Sequence, residues 1–362
     1  MLVGIDASRA TAARRTGTEA YSLHLIRALL KLESKHHFRL YFNRPPPAGL
    51  FIPTPHLQPR VISFPRLWTH LRLAAELARR RPDILFVPSH VLPLAFPGPA
   101  AVTVHDLGYL HFPQAHPILS RLYLDWSTRW NTRRAAVVIA DSEATRQDLI
   151  AHYQTDPAKI VVAYPGYDKM LRPVRDPAAA VRGQGCHIQG NYLLYLGTLQ
   201  PRKNLVRLID AFTRLPATQP SLQLVLAGNP GWLADPILEY ARQAGVILPG
   251  FIANKAKAAL LSGAAAFLFP SLYEGFGFPV LEAMACGTPV ICSNTSSLPE
   301  VAGDAALLVD PLDTAGLTAA IQRILTDHTL RANLIQRGFA NLKRFSWLQC
   351  AKQVMAAIEH AT

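Results

Sequence analysis

The chain has 362 residues, half of which are hydrophobic, so it is long enough for two domains with buried cores. Its formal net charge is +13, and residues 1–180 carry 23 basic and 13 acidic side chains against 14 and 11 in residues 181–362. No apolar run reaches the roughly 18 residues of a membrane-spanning helix, which excludes an integral membrane protein, and we expect a cytoplasmic protein that is soluble or bound at the inner face of a membrane.

The first half of the chain alternates short apolar strands with helices. Strands are predicted at residues 2–5, 38–42, 84–87, 101–104, 136–140 and 160–163. The helices between them include residues 67–81, 118–134 and 143–153, the last of which is capped by Ser142. Continuous apolar strands that alternate with helices are typical of a parallel sheet covered on both faces.

The second half repeats this alternation after a looser segment. Residues 171–190 are rich in proline and glycine and show little periodicity, which indicates an interdomain linker. Strands are predicted at residues 192–196, 222–227, 246–248, 265–269, 289–292 and 306–309. Helices are predicted at residues 205–215, capped by Asn204, and at residues 347–360.

These elements predict an α/β protein with two doubly wound, Rossmann-like domains that face each other across a cleft. The first domain is expected to comprise residues 1–170 and the second residues 191–345, followed by a C-terminal helical segment in residues 346–362. Ligands of such sheets bind beyond the carboxyl ends of the strands.

The most informative stretch is residues 268–289, LFPSLYEGFGFPVLEAMACGTP. An apolar strand is followed by a loop, and Pro279 stands where a helix begins, because a proline in the first turn loses no hydrogen bond. The peptide N–H groups of Gly275, Phe276 and Gly277, together with the positive end of the helix, suit an anion such as a phosphate.

Two glutamates flank this predicted phosphate site. Glu274 lies in the loop, and Glu282 lies eight residues later, in the first turn or so of the helix. Carboxylates accept hydrogen bonds from hydroxyl groups, so the pair suits a sugar on one side of a phosphate and a ribose on the other.

Two adjacent cations, Arg202 and Lys203, follow the predicted strand at residues 192–196. They suit a diphosphate, which arginine binds as a fork and lysine as a point charge. The alternative is a solvated pair of surface charges. We favour binding, because the strand, the turn and the helix cap place the pair where doubly wound sheets hold their ligands.

His105 and Asp106 end the strand AVTVHD. A histidine at a strand end polarises a sugar hydroxyl or a leaving oxygen and titrates near neutrality. The alternative for His105 is a buried histidine held by a backbone carbonyl. Asp106 is assigned only a supporting role, because aspartate is also common at the start of loops. Gly17, which opens the first long helix, either lets the backbone approach a ligand closely or simply makes a turn.

The E-x7-E spacing and the run GFGFPVLEAMACGTPVI resemble the donor-site signature of the large retaining glycosyltransferase family 4, whose members have the GT-B fold. The resemblance implies a nucleoside-diphosphate sugar as donor, with His105 and Glu274 in catalytic positions beside the transferred sugar. It also implies that the last helix crosses back to the first domain. The family usually has two adjacent glycines in the loop where this chain has only Gly17, in RTGTE.

Two further loops, LAGNPGW and LPGFI, match family loops that line the nucleotide. The second loop contains three residues that the resemblance places near the base: Gly250, Phe251 and Ile252. Ordinary turns at strand ends are the alternative interpretation of these three.

The resemblance implies transfer with retention of the anomeric configuration. We expect no metal and no cofactor, since no DxD-like pair stands beside a strand end and Arg202 and Lys203 would offset the leaving-group charge. The four cysteines show no metal-ligand spacing either. GDP-mannose is the first choice of donor, because HDL and PRKNL look most like mannosyltransferase members, and a UDP-hexose is the second.

The acceptor is expected to be a saccharide or a lipid-linked saccharide in cell-surface glycan synthesis. The predicted helix at residues 67–81 combines leucines with arginines, which is consistent with peripheral membrane contact through the basic first domain. An ordinary surface helix is the alternative interpretation.

Three other functions share parts of this pattern. An NAD-dependent oxidoreductase requires G-x-G-x-x-G after its first strand, and neither residues 5–18 nor residues 275–279 provide it. A nucleic-acid-binding protein would explain the charge, but no recognition motif accompanies it, so no nucleic-acid partner is expected. A GT-B sugar-nucleotide epimerase shares the architecture but converts its donor without an acceptor.

Overall fold

The computed structural model describes residues 1–12, 17–33, 35–64, 67–89, 91–177, 188, 190–216 and 221–362. These residues form two compact units: unit 1 comprises Met1–Leu107, Leu119–Gly166 and Phe345–Thr362, and unit 2 comprises Gly108–Ile118 and Tyr167–Arg344. More than half of the linker predicted at residues 171–190 lies outside the described residues. In the described part of the chain, no helix combines the length and the apolar character that crossing a membrane requires.

Unit 1 is built on a seven-stranded parallel sheet. Its strands in chain order are β1 Leu2–Asp6, β2 His37–Phe42, β3 Leu57–Val61, β4 Ile84–Val87, β5 Ala100–Val104, β6 Val137–Ala140 and β7 Ile160–Val162. They lie in the order β3-β2-β1-β4-β5-β6-β7, and Val3 of β1 is aligned with Phe38 of β2 and Ile84 of β4. The direction of strand addition reverses between β1 and β4, which is the topological switch point of this sheet.

The edge strand β3 is not among the predicted strands. Four of its five residues are exposed, so the stretch LQPRV has neither the apolar run nor the alternation by which a strand is recognised. It pairs in parallel with β2, and Pro59 lies opposite Leu40. A proline is tolerated there because an edge strand forms ladder bonds on one side only.

Unit 2 is built on a six-stranded parallel sheet. Its strands are β8 Tyr192–Leu196, β9 Gln223–Ala227, β10 Ile247–Gly250, β11 Ala266–Phe269, β12 Val290–Ser293 and β13 Ala306–Val309. They lie in the order β10-β9-β8-β11-β12-β13, so the switch point falls between β8 and β11. The prediction of an α/β protein with two doubly wound parallel sheets is confirmed.

Helices flank both sheets. In the described residues the α-helices are α1 Gly17–Leu29, α2 Ala74–Arg79, α3 Gly108–His111, α4 Ile118–Arg134, α5 Glu143–Tyr153, α6 Leu205–Thr213, α7 Asp235–Gln243, α8 Asn254–Ser262, α9 Phe278–Ala285, α10 Leu298–Ala302, α11 Thr314–Thr326, α12 His328–Asn341 and α13 Trp347–His360. Short 3-10 turns lie at Arg9–Thr11, Pro113–Ala115, Pro157–Lys159, Pro201–Lys203 and Leu342–Arg344. The helix predicted at residues 67–81 is shorter, because a π-helical turn at Thr69–Leu73 leads into α2, which ends at Arg79.

Unit 1 contains the capped helix α5 and the C-terminal helix α13. Ser142 has an extended backbone, and its side chain accepts a hydrogen bond from Thr145 N at 3.1 Å, which confirms the predicted cap of α5. Helix α13 packs in unit 1 against α1, where the Trp347 ring lies 5.7 Å from the Tyr21 ring and 5.4 Å from the His24 ring.

Glycines allow the loops after neighbouring strands of unit 2 to approach each other closely. Gly228, which follows β9, has a φ of +144°, and a Cβ atom there would lie 1.9 Å from the carbonyl oxygen of Gly197, which follows β8. Its N–H donates to the carbonyl of Gly250 at the end of β10, at 2.8 Å. The carboxyl ends of β8, β9 and β10 therefore meet through backbone atoms, and a side chain at Gly228 has no room.

We expect Gly228→Ala to lower the free energy of unfolding by about 3 kcal/mol, because the added Cβ would clash with the backbone of Gly197, which cannot move aside as a flexible side chain could. Gly245→Ala is the matched control, since Gly245 also has a positive φ of +69° but nothing lies within 4 Å of an added Cβ. Only about 1 kcal/mol of left-handed backbone strain is expected there. Urea denaturation followed by circular dichroism measures both variants, and equal losses would contradict the packing described.

Candidate functional site

Two loops leave adjacent strands at the switch point of the unit 2 sheet. The loop after β8 ends in the 3-10 turn Pro201–Lys203, and the N–H of Leu272, in the loop after β11, donates to the carbonyl of Arg202 at 2.9 Å. Because of this bond, predicted site residues from separate stretches of sequence lie side by side.

Arg202, Lys203 and Glu274 form a buried ion cluster in these loops, and each is less than 10% exposed. The ammonium group of Lys203 donates to Glu274 Oε1, and Arg202 Nη1 lies 3.4 Å from Glu274 Oε2. Arg202 Nη1 also donates to the carbonyl of Tyr273, and Lys203 Nζ lies 5.1 Å from the centre of the Phe269 ring. Two cations and one carboxylate leave one net positive charge, so the cluster attracts an anion.

The carboxyl group of Glu274 stays ionised in spite of its burial. Burial by itself raises its pKa, but the charges of Lys203 and Arg202 more than offset this, and the pKa lies below its ordinary value. At neutral pH Glu274 is therefore a carboxylate that accepts hydrogen bonds from hydroxyl groups.

Asn204 also ties these loops together, but not as the predicted helix cap. Its backbone is left-handed, with a φ of +59°, and its side chain caps no N–H group of α6. Instead, Nδ2 donates to the carbonyl oxygens of Pro270 at 3.1 Å and Pro311 at 2.7 Å. Asparagine tolerates the left-handed conformation better than most residues, and its Oδ1 accepts a hydrogen bond from the Arg207 side chain of α6 at 2.9 Å instead of from a helix N–H group.

Two serines that the sequence analysis does not single out hold the loop that carries Glu274. The N–H of Glu274 donates to Ser296 Oγ at 2.9 Å. The hydroxyl of Ser297 contacts the carbonyl oxygens of Glu274 at 2.9 Å and Phe276 at 2.8 Å. The only signal in the sequence is the serine pair in NTSSLPE, which is common in turns and names no partner.

The loop then turns into α9 at a position that only glycine fits. Gly277 has a φ of +108°, and a Cβ atom there would lie 2.7 Å from Leu298 Cδ2. Pro279 lies in the first turn of α9, as predicted. Gly275, Phe276 and Gly277 thus occupy the short segment between the ion cluster and the positive end of a helix.

Glu282 lies near the start of α9, as predicted. It is the fifth residue of the helix, just after its first turn. Its Oε1 forms an ion pair with Lys257 Nζ of α8, a partner that the sequence does not reveal. Glu282 and Glu274 are therefore each paired with a lysine, but with different ones.

The three residues assigned to the base lie at the end of the edge strand β10 and directly after it. Gly250 ends β10 with a φ of +74°, and Phe251 and Ile252 come directly after it. The Phe251 side chain is about half exposed, and β9 and β8 separate β10 from β11 in the sheet.

The segment Gly108–Ile118 packs in unit 2, although it comes from the first half of the chain. The His111 ring stacks on the Tyr273 ring at 4.8 Å, and Trp232 Nε1 donates to the carbonyl of Ala115. Tyr273 directly precedes Glu274, so this segment adjoins the loop of the ion cluster. Nothing in the sequence singles out His111.

In unit 1, His105 and Asp141 follow the neighbouring strands β5 and β6. The Nδ1 atom of His105 lies 2.6 Å from Asp141 Oδ2, and its Nε2 lies 2.9 Å from the carbonyl oxygen of Pro88 and donates to it. Both ring nitrogens are thus engaged. The bond to Pro88 is the one expected of a structural histidine, and the carboxylate partner is a feature that the sequence analysis misses.

The two groups influence each other's protonation. Burial by itself lowers the pKa of His105, but the Asp141 carboxylate and its hydrogen bond more than offset this, so the pKa is raised. Burial raises the pKa of Asp141 against the opposing charge of His105. The pair therefore holds a proton more tightly than an isolated histidine does.

Gly17 is the first residue of α1 in unit 1 and is exposed. Residues 13–16, which complete the loop before it, lie outside the described residues.

Comparisons with known proteins agree with this architecture. The family profile described as Glycosyl transferases group 1 matches residues 187–340, and the profile described as Glycosyltransferase Family 4 matches residues 15–170. The O-antigen chain mannosyltransferase B of Escherichia coli is 34% identical over 308 residues, which cover 83% of this chain and 80% of that protein.

Solved structures share the fold over the whole chain. Sucrose-phosphate synthase from Thermosynechococcus elongatus is 23% identical with a TM-score of 0.78, over 99% of this chain and 98% of its own. HepE from Anabaena is 18% identical with a TM-score of 0.75, over 99% of each chain. Two parallel doubly wound sheets, the matching profiles and the mannosyltransferase relative together show that the chain is a member of glycosyltransferase family 4 with the GT-B fold.

Proposed function

We propose that this glycosyltransferase moves a hexosyl group from a nucleoside-diphosphate sugar to a saccharide or lipid-linked saccharide, with retention of the anomeric configuration. The observation that carries the proposal is the buried cluster of Arg202, Lys203 and Glu274 at the switch point of the unit 2 sheet. The cluster combines a net positive charge with a carboxylate that accepts hydrogen bonds from hydroxyl groups. A sugar bonded to a diphosphate requires both.

The diphosphate would lie on Arg202, Lys203 and the peptide N–H groups of residues 275–277. Arginine forms a fork of N–H groups that matches phosphate oxygens, and lysine adds a point charge. Glu274 would accept hydrogen bonds from hydroxyl groups of the sugar, and Glu282 from the ribose. The base would lie beside the loop that contains Gly250, Phe251 and Ile252.

The reaction breaks the bond between the anomeric carbon and a phosphate oxygen, and its electron pair passes to the leaving nucleoside diphosphate. The acceptor hydroxyl attacks the same face of the sugar and gives its proton to the departing phosphate. The two cations stabilise the charge that develops on the leaving group. The family resemblance assigns a catalytic role to His105 as well. Because Asp141 and Pro88 hold both of its ring nitrogens, it would act through its charge, which the raised pKa favours.

GDP-mannose is the first candidate for the donor, since a relative that is 34% identical over 83% of this chain is an O-antigen chain mannosyltransferase. A UDP-hexose is the second candidate, because the structural neighbour HepE has been solved with UDP and glucose. Incubation with a panel of sugar nucleotides and saccharide acceptors, followed by NMR of the product, tests donor and configuration together. A product of inverted configuration would contradict the proposal, and conversion of the donor without an acceptor would indicate an epimerase.

We expect Lys203→Ala to weaken GDP binding between about tenfold and a hundredfold, because a charged hydrogen bond contributes about 1.5–3 kcal/mol. A comparable loss in kcat/KM should accompany it, while Arg202 still compensates Glu274. Titration calorimetry measures the affinity. Lys343→Ala, at an exposed position in the turn Leu342–Arg344, is the control and should bind GDP as the wild type does. If Lys203→Ala binds GDP as tightly as the wild type does, the cluster is not part of the donor site.

Transfer should not require a divalent metal, because Arg202 and Lys203 neutralise the leaving group. Treatment with EDTA is expected to leave the rate of transfer unchanged, and added Mg²⁺ should not raise it. Loss of activity in EDTA with recovery in Mg²⁺ would show that a metal carries the diphosphate charge.

The His105–Asp141 pair predicts a pH dependence of stability. The pKa of His105 is raised above its unfolded value of about 6.5, so its contribution is complete below that pH and is lost as the pH rises through the raised pKa. The raised pKa of Asp141 acts in the same direction. Compared with the neutral variant His105→Gln/Asp141→Asn, the wild type should lose thermal stability between pH 6 and pH 9. If the difference in thermal stability between the wild type and the variant stays constant or grows in favour of the wild type over this range, the raised pKa values of the pair are contradicted.

A further inference from the structure

Helix α4 in unit 1 exposes the face that a surface helix normally buries. Its exposed apolar residues stand at positions i, i+3, i+4 and i+7, and they are Leu119, Leu122, Tyr123 and Trp126. Its buried residues are polar: Ser127, Thr128, Asn131 and Thr132. In an ordinary amphipathic helix the apolar stripe faces the core, so α4 is inverted.

Hydrogen bonds fix α4 in this orientation. Asn131 Oδ1 accepts a hydrogen bond from Leu92 N at 2.9 Å in the core of unit 1. Trp130 Nε1 donates to the carbonyl of the same Leu92 at 3.2 Å. The hydroxyl groups of Ser127 and Thr132 donate to carbonyl oxygens within α4 itself, so these buried side chains are satisfied locally. Rotating the apolar stripe inward would break both bonds to Leu92 and leave its buried backbone groups without these partners, which is unfavourable.

The apolar stripe continues onto the neighbouring helical turn Thr69–Leu73. The His70 ring lies 6.3 Å from the Trp126 ring, which links the two helices. Leu71 and the preceding Leu67 are both more than half exposed. Contiguous apolar surface of this kind marks an interaction site on a soluble domain.

Arginines border this apolar surface. Arg129 and Arg133 stand three and seven residues after Trp126, so they continue the same exposed face of α4. Arg72, on the other helical turn, lies over the Phe64 ring at 5.8 Å. The acidic residue of α4, Asp125, accepts hydrogen bonds from Arg129 at 3.0 Å and Tyr153 at 2.8 Å, so Asp125 and Arg129 offset each other's charge and the net positive charge of this border comes from Arg72 and Arg133.

We propose that α4 and the turn Thr69–Leu73 form a docking surface for an anionic lipid bilayer. Leucines insert at the boundary of the acyl chains, aromatic rings lie at the level of the head groups, and arginines contact lipid phosphates. A second copy of the chain fits less well, because a symmetric dimer would bring one arginine border against another. The inference depends on unit 1 alone and does not require the proposed transfer reaction.

Co-sedimentation of the full chain with phosphatidylcholine vesicles, with and without phosphatidylglycerol, tests this surface. The wild type should bind the anionic vesicles, and Leu119→Gln/Leu122→Gln should lower the partition coefficient at least about tenfold. Met170→Gln/Leu312→Gln is the matched control, since these side chains are 80% and 65% exposed against 83% and 57% for the leucines of α4. It should bind as the wild type does.

A second variant, Arg133→Gln, should lower the partition into anionic vesicles about fivefold and leave binding to neutral vesicles unchanged. Thermal unfolding of each variant verifies that it is folded. Failure of the wild type to bind anionic vesicles, or full binding by the double leucine variant, would overturn the proposal. So would a dimer in sedimentation velocity that the double leucine variant abolishes, because the stripe would then be covered by a second copy.

Discussion

The loops of unit 2 depend on one carboxylate held between two cations away from water. Removing an ion from water carries a penalty of several kcal/mol, which attraction between the ions offsets only in part. Apolar side chains of similar volume would hold the same loops at least as firmly. Arg202, Lys203 and Glu274 are therefore explained better by a charged ligand than by stability, and their unequal charges leave one positive charge for that ligand to neutralise.

Neutral groups position this cluster. Ser296 and Ser297 fix the backbone of the loop at Glu274, Asn204 joins the loops after β8 and β11, and Gly277 provides the turn into α9. None of them adds a charge that would compete for the ligand. In unit 1 a doubly wound sheet likewise brings His105 and Asp141 together at the ends of adjacent strands, so in each unit strand order decides which ionised groups meet.

Sequence alone predicts the features that depend on neighbouring residues. The apolar strands, the Ser142 cap and the position of Pro279 in the first turn of α9 are of this kind. Features that depend on distant partners are missed: Ser296 binds Glu274 from 22 residues away, and Asp141 binds His105 from 36 residues away. Helix α4 shows the difference, because its bounds agree with the prediction whereas the face that it buries is set by contacts such as that of Asn131 with Leu92.

The central claim is that the cluster at the switch point of unit 2 binds the diphosphate of the donor. Hydrogen–deuterium exchange of the full chain with and without GDP tests it most directly. The account predicts protection that is concentrated in residues 198–204 and 272–282, with smaller changes near residues 250–252. Protection confined to other parts of the chain, with these loops unchanged, would contradict the account.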